Sequence, residues 1–209
     1  MDSFLDSCVV INYLKHFIGN ASLLNVKCFD YLSNKTGRFL ICLYSVGEIN
    51  KYIEKEELIH TEILNKKKDK DYEIGKTYSI KKVLSDEEIL FASSLYNETL
   101  AVSISQLETQ FKQEVEVLKV NFLLFLKNET DELIKEPIDQ NLVNLLKEFI
   151  TDYADCKVLS SALIIQQKRN IFSFVTSDRH FAPNIYEFTK EDYRFKNYKF
   201  PELKNLLYE

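Results

Sequence analysis

The stretch FLDSCVVINYL, residues 4–14, decides the fold class. Its apolar beginning leads to one carboxylate, Asp6, and small polar residues follow before an apolar pattern of helical character resumes at Val10. An α/β protein places an acid in this way at the carboxyl end of its first strand, where open parallel sheets bind ligands. The stretch therefore predicts an α/β fold and makes Asp6 the first candidate for a functional site.

Length and composition suit one domain with a packed core. The chain has 209 residues, 45% of them hydrophobic, and only four glycines and three prolines, which argues against disordered and fibrous classes. The net charge of −5 argues against a protein whose whole surface binds nucleic acid, although it leaves room for a local basic groove.

Cysteine usage and hydropathy indicate the compartment. The four cysteines show no C-x-x-C spacing, which predicts free thiols in a reducing environment rather than zinc ligands or disulfides. Neither a signal peptide pattern nor a run of about 18 apolar residues is present, so we expect a soluble, cytoplasmic protein without a membrane partner.

Glu48 is the second candidate acid. The apolar run 39–43 predicts a strand buried on both faces, and Ser45 and Glu48 follow it before a helical pattern. Ser45 and Glu48 have the spacing of a capping box, which would give the acid a structural role. Alternatively, Glu48 lies on a helix just past a strand end and close to Asp6. The local sequence does not choose between these interpretations.

Residues 61–149 are predicted to form a mainly helical insertion within a single domain, 1–209. The polar, lysine-rich segment from Glu54 to about Lys82 carries interspersed acids, so it predicts a solvated helix or loop, with phosphate binding as the alternative. The apolar stripe from 104 to 125 predicts a long amphipathic helix ending near Pro137. That stripe would pack on a neighbouring helix or on a second copy of the chain, making a homodimer.

Two further acidic segments lie in the last third of the chain. Asp152 and Asp155 are three residues apart and share one face of a predicted helix. The buried strand 171–175 then leads to Thr176, Ser177 and Asp178, which repeats the opening combination of a strand end, small hydroxyl residues and a carboxylate. Beyond it we expect a short edge strand at 185–188 and a terminal helix at 201–207.

The topology of a parallel sheet brings some of these acids together. The carboxyl ends of parallel strands share one edge, so Asp6, Glu48 and Asp178 should lie on the same side. Asp155 precedes its strand, which places it at the opposite edge unless the start of its helix swings across. Convergent carboxylates repel one another unless a cation neutralises them, and oxygen ligands select Mg²⁺ or Mn²⁺ over Zn²⁺.

Four segments resemble, in order, the acidic motifs of the PIN-domain family. They are FLDSCVVI at 4–11, the segment around Glu48, DCKVLSSA at 155–162 and VTSDRHF at 175–181. Members of this family are small α/β metal-dependent ribonucleases, and they include the toxin halves of toxin–antitoxin modules. The resemblance covers about half of the chain and does not extend to the predicted insertion.

The resemblance implies a three-layer α/β/α fold with a central, mostly parallel sheet and one convergent site. The metal-binding and catalytic acids would be Asp6, Glu48, Asp155 and Asp178. Supporting residues near the metal would be Ser7, Asp152, Thr176 and Ser177. The activity implied is an Mg²⁺- or Mn²⁺-dependent endoribonuclease acting on RNA, and a toxin of this kind would take a small antitoxin protein as partner.

Two departures from the family pattern keep a second hypothesis open. Many members have Asn at the position of Cys8 and a further acid near the position of His180. A PIN-like scaffold that binds RNA or protein without cutting is therefore the alternative. A phosphatase using Asp6 as nucleophile is disfavoured, because position 8 carries Cys and no second Asp follows as general acid.

Overall fold

The fold is built on a parallel sheet. The computed structural model describes residues 2–35 and 37–209, and within these ranges all five strands of the sheet run parallel. The strands are β1 Asp2–Leu5, β2 Arg38–Cys42, β3 Thr130–Ile134, β4 Ser173–Thr176 and β5 Glu202–Asn205. The α/β class expected from residues 4–14 is confirmed.

The order of the strands in space is β3-β2-β1-β4-β5. From β1 the chain adds β2 and β3 on one side and later adds β4 and β5 on the other, so the order reverses between β1 and β4. The register pairs Phe4 with Phe174 and Leu5 with Val175. In open α/β sheets, ligands bind in the crevice outside the carboxyl ends of the strands at such a reversal.

Nine α-helices surround or follow the strands in the two described ranges. They are α1 Ser7–Phe17, α2 Leu23–Ser33, α3 Leu43–Lys68, α4 Tyr78–Lys81, α5 Asp86–Glu98, α6 Ile104–Leu124, α7 Gln140–Leu146, α8 Tyr153–Lys168 and α9 Pro183–Glu191. None of the described helices has both the length and the apolar character needed to cross a bilayer.

The chain forms two compact units. The first contains the residues up to Ile49 and those from Asn121 onward, and the second is Asn50–Val120. In the first unit, Phe4, Leu40 and Phe174 belong to one buried cluster together with α8 side chains. The alternate strand residues Leu5 and Ile41 are also buried. Because alternate strand residues point to opposite faces, both faces of the sheet are covered, as expected of an α/β/α arrangement.

The second unit is helical. Its core contains side chains of α3, α5 and α6, among them Ile59, Ile63, Ala92, Leu107 and Phe111. The predicted insertion, 61–149, overlaps this unit over 61–120. From Asn121 the chain belongs to the first unit again, so β3 and α7 lie with the sheet.

The predicted end of the long amphipathic helix is wrong. The helix α6 ends at Leu124, and one π-helical turn, Phe125–Glu129, leads into β3 instead of continuing toward Pro137. Pairing of β3 with β2 and the 2.8 Å bond from the Phe39 backbone N–H to Asp131 Oδ2 favour the strand. Tertiary pairing here outweighs the helical period of the local sequence.

The two elements predicted after Asp178 are also wrong. Residues 185–188 lie inside α9, which begins with Pro183 at its first position, where proline is favoured. The segment expected to be a terminal helix contains β5, which pairs with β4 at the edge of the sheet. Short apolar runs of this kind do not distinguish a strand from a helix by periodicity alone.

We expect Ser85→Ala to lower the free energy of unfolding by about 1 kcal/mol, because it removes an N-cap hydroxyl. Ser85 Oγ accepts from the Glu88 backbone N–H, and the Glu88 carboxylate accepts from the Ser85 N–H at 2.7 Å, forming a capping box at the start of α5. Urea unfolding measures the change. The matched control is Ser94→Ala on the exposed side of α5, which should not destabilise; equal losses in both variants would contradict the capping role.

Candidate metal centre

Asp6 emerges directly from β1 and is almost completely buried, with 1% of its surface exposed. It occupies the N-cap position of α1, but its carboxylate turns toward the neighbouring strand end. Its Oδ2 accepts hydrogen bonds from Thr176 Oγ1 at 2.7 Å and from Cys8 Sγ at 3.0 Å. Ser7 Oγ donates to the other oxygen, Oδ1, at 3.3 Å.

Asp178 emerges from β4, the strand that pairs with β1. The hydroxyl of Thr176 joins the two strand ends, because it donates to Asp6 and accepts from the Asp178 backbone N–H at 3.1 Å. The Asp178 carboxylate accepts from the backbone N–H of His180 at 2.7 Å and so begins a 3-10 turn, Arg179–Phe181. The predicted repeat of strand, hydroxyl and carboxylate thus places Asp6 and Asp178 on adjacent strands.

Asp155 reaches the same edge of the sheet, which corrects the expectation that it would lie at the opposite one. A helix that connects parallel strands begins at the carboxyl edge, where the previous strand has ended, and returns the chain to the amino edge. The start of α8, rather than its end, therefore lies near Asp6 and Asp178. Asp152 is the N-cap of this helix and accepts from the Ala154 N–H at 2.7 Å and the Asp155 N–H at 3.3 Å.

Glu48 lies within α3 and is half-buried. The capping-box interpretation is wrong, because α3 begins at Leu43, two residues before Ser45. Ser45 is buried instead, with its hydroxyl 3.4 Å from Cys42 Sγ. Glu48 acts electrostatically on Asp155, which indicates that its carboxylate is directed to the same site.

The pKa of Asp155 is the clearest sign that these acids converge. Burial and the surrounding negative charge raise it from its usual value of 3.8 to about 9. After burial, the causes are the carboxylates of Asp6, Asp178, Asp152 and Glu48. Burial and the charge of Asp178 also raise the pKa of Asp6, while hydrogen bonds from Cys8 and Thr176 oppose that change. The four predicted acids therefore share one electrostatic environment.

His180 is a site residue that the sequence argument missed. Its Nδ1 lies 2.8 Å from Asp155 Oδ2 and 3.2 Å from Asp178 Oδ1. One ligand atom each from Asp152, Asp155 and His180 lie within 4.8 Å of one another. The sequence signal that could have identified His180 is its position two residues after Asp178. An Asp that caps a tight turn brings the second following residue back beside it.

Cys8 and Ser177 have structural roles around Asp6. Burial and the adjacent Asp6 hold the pKa of Cys8 well above its usual value, so it is a thiol that can donate to the carboxylate. The backbone N–H of Ser177 donates to Cys8 Sγ at 3.1 Å. The Ser177 hydroxyl accepts from Asn12 Nδ2 at 2.9 Å, so it bonds to α1 rather than to Asp6.

The chemistry of these donors fits a divalent cation. Asp6, Asp155 and Asp178 offer carboxylate oxygens, which suit Mg²⁺ and Mn²⁺. The group of Asp152, Asp155 and His180 adds one imidazole nitrogen, a ligand favoured more by transition metals than by Mg²⁺. A cation among these groups would balance charges that otherwise raise the pKa of Asp155.

Comparison with family models, with curated proteins and with solved structures gives no significant match. Fold and site therefore define the class on their own. The chain is an α/β protein with a five-stranded parallel sheet and an acidic centre at the point where the strand order reverses.

Without divalent metal, the protein should lose stability as the pH rises from about 4 to about 9. In this range folded Asp155 retains a proton that the unfolded chain has released, so raising the pH favours unfolding. Urea unfolding in EDTA at several pH values measures the trend. Asp155→Asn should flatten it, whereas Asp30→Asn, an exposed acid on α2, should follow the wild type. Identical pH profiles for Asp155→Asn and wild type would contradict the assignment.

Proposed function

We propose that the protein is a divalent-metal-dependent nuclease, an endoribonuclease similar to those of the PIN-domain family. The observation that carries the proposal is the effect of Asp6, Glu48, Asp152 and Asp178 on the single carboxyl of Asp155. Such a concentration of acids around the buried Asp6 and Asp155 is unfavourable for folding and is typical of functional sites. RNA rather than DNA as substrate follows from the resemblance of the motifs.

Asp6, Asp155 and Asp178 would hold an Mg²⁺ or Mn²⁺ ion, with Asp152 and His180 as further ligand candidates. When bound, the ion would lower the pKa of a water molecule and stabilise the negative charge that develops on a phosphodiester. Glu48 would bind the ion or orient the attacking water.

The surrounding residues would keep the acids in place. Thr176 and Cys8 both donate to the same oxygen of Asp6, which fixes the orientation of that carboxylate. His180 lies between Asp155 and Asp178, so it limits the rotation of both. Preorganised ligands of this kind reduce the cost of ordering the site when the ion binds.

A role as the toxin of a toxin–antitoxin module in the cytoplasm extends the same proposal. It is supported by the resemblance and by four cysteines that are all free, as in a reducing compartment. A small antitoxin protein would be the partner. The apolar residues that α6 contributes to the second unit, Leu107 and Phe111, pack within that unit's own core, which favours the intramolecular alternative for the apolar stripe over a homodimer.

Asp6→Asn should lower Mn²⁺-dependent cleavage of RNA more than about 100-fold, since loss of residues that only support metal ligands already costs about 10–100-fold. Gel assays on single-stranded and structured RNA, with Mn²⁺ or with EDTA, measure the activity. Asp30→Asn is the matched control and should cut like the wild type. Cleavage that persists in EDTA and in Asp6→Asn would refute the proposal.

A non-catalytic scaffold is the second candidate, and the position of His180 favours it. Its Nδ1 lies 2.8 Å from Asp155 Oδ2 and 3.2 Å from Asp178 Oδ1, so the imidazole occupies oxygens that a metal ion would otherwise need. The protein would then bind RNA or another protein without cutting.

Titration calorimetry with Mn²⁺ on wild type, Asp155→Asn and His180→Ala separates the two candidates. A metal centre predicts binding by the wild type that Asp155→Asn abolishes. The scaffold predicts no uptake of Mn²⁺ by well-folded wild type, together with a loss of stability in His180→Ala because Asp155 and Asp178 then lose their contact with the imidazole.

A further inference from the structure

Four side chains at the starts of α3 and α8 and at the end of α7 form a cluster of tyrosine rings and ammonium groups. The Nζ of Lys157 lies 4.3 Å from the ring centroid of Tyr153 and 5.6 Å from that of Tyr44. The Nζ of Lys147 lies 5.1 Å from the same Tyr153 ring. We call these four residues the tyrosine–lysine cluster.

This cluster borders the acidic centre. Tyr153 and Lys157 each lie two residues from Asp155 in the first turns of α8, on the more exposed side of this helix. Tyr44 lies one turn before Glu48 on α3, so the two share a helix face. Lys157 contacts Tyr44, which means that this face of α3 is directed toward the start of α8. A strand that leaves the acidic centre over the start of α8 would therefore reach the cluster.

The rings hold the two positive charges in place. The Tyr153 hydroxyl bonds with the Gln140 side chain at the start of α7, at 3.0 and 3.2 Å, and the ring is 39% exposed. An ammonium group over a tyrosine ring is attracted by the negative face of the ring. Tyr153 thus holds the ends of two long side chains, which would otherwise be mobile, close to its ring.

Two neighbouring ammonium groups repel each other unless an anion lies between them. Within residues 2–35 and 37–209, neither Lys147 nor Lys157 forms an ion pair, although most other lysine contacts in this structure are with carboxylates or carbonyl oxygens. Lys147 is exposed and Lys157 half-buried, so both remain accessible from solvent. The cluster therefore presents paired positive charge next to a site rich in negative charge.

We propose that Lys147 and Lys157, held by Tyr153 and Tyr44, bind neighbouring phosphates of a nucleic-acid strand whose adjoining phosphodiester enters the acidic centre. The inference rests on the proposed nuclease function, because that function determines where the strand runs. A metal-loaded acidic centre can accept one phosphate, while flanking phosphates need separate positive groups, which the cluster supplies. Lys147 and Lys157 are binding residues in this scheme, and Tyr153 is a positioning residue.

The test measures binding of a fluorescently labelled single-stranded oligoribonucleotide by anisotropy over a range of salt concentrations. It uses wild type in EDTA and Asp6→Asn in Mn²⁺, two conditions in which the proposed nuclease does not cut. Lys157→Gln and Lys147→Gln should each weaken binding and lower the slope of log affinity against log salt by about 0.7, the value for one phosphate contact on a single strand. Tyr153→Leu should weaken binding more than Tyr153→Phe, which keeps the ring.

The matched control is Lys199→Gln. Lys199 is exposed and precedes β5, so it lies toward the amino edge of the sheet, away from the acidic centre. It should leave affinity and salt slope unchanged. If Lys147→Gln and Lys157→Gln behave like Lys199→Gln in both conditions, or if no binding is seen, the inference is overturned.

The result of this binding test can be interpreted separately from the result of the nuclease assay. Lysine-dependent binding without cleavage by the wild type would refute the proposed function and leave the cluster as a nucleic-acid site. Cleavage with binding that does not depend on these lysines would refute the inference alone. The charged groups of Lys147 and Lys157 are accessible from solvent, so their variants should fold. These variants test the inference even if Tyr153→Leu does not fold.

Discussion

The parallel pairing of β1 with β4 is the constraint on which the candidate site depends. It is the point where the strand order reverses, and it brings Leu5 beside Val175. Asp6, directly after β1, and Asp178, two residues after β4, therefore reach a common crevice. The hydroxyl of Thr176 makes this geometry specific, because it bonds to the Asp6 carboxylate and to the Asp178 backbone at once.

The second constraint is electrostatic. Carboxylates that share a buried pocket repel one another, and the structure relieves the repulsion in several ways without removing it. Cys8 and Thr176 donate hydrogen bonds to Asp6, His180 lies against Asp155, and Asp155 itself favours its protonated form. Such an arrangement is unfavourable for stability, and strongly shifted pKa values of this kind are characteristic of functional sites.

Much of the site could be predicted from the sequence, because the combination of a strand end, hydroxyl residues and a carboxylate at Asp6 and Asp178 is local. Asp155 was harder, since its location depends on the direction in which a crossover helix runs. His180 could not be recognised from composition, because its role arises from a turn closed by the Asp178 side chain. The strands β3 and β5 were missed for a related reason: both are edge strands whose pairing is decided by distant residues rather than by their own periodicity.

Asn205 on β5 supports the candidate site from a part of the chain that is synthesised after the acids of the site. Its side-chain amide donates to the backbone carbonyls of Asp178 and Phe181, at 2.8 and 2.9 Å, and thereby supports the turn that carries His180. Asn205 is synthesised 27 residues after Asp178. When the last acid of the site, Asp178, has just been synthesised, the turn consequently still lacks the support that Asn205 gives it. This turn therefore gains the support of Asn205 only after β5 has been synthesised and has paired with β4.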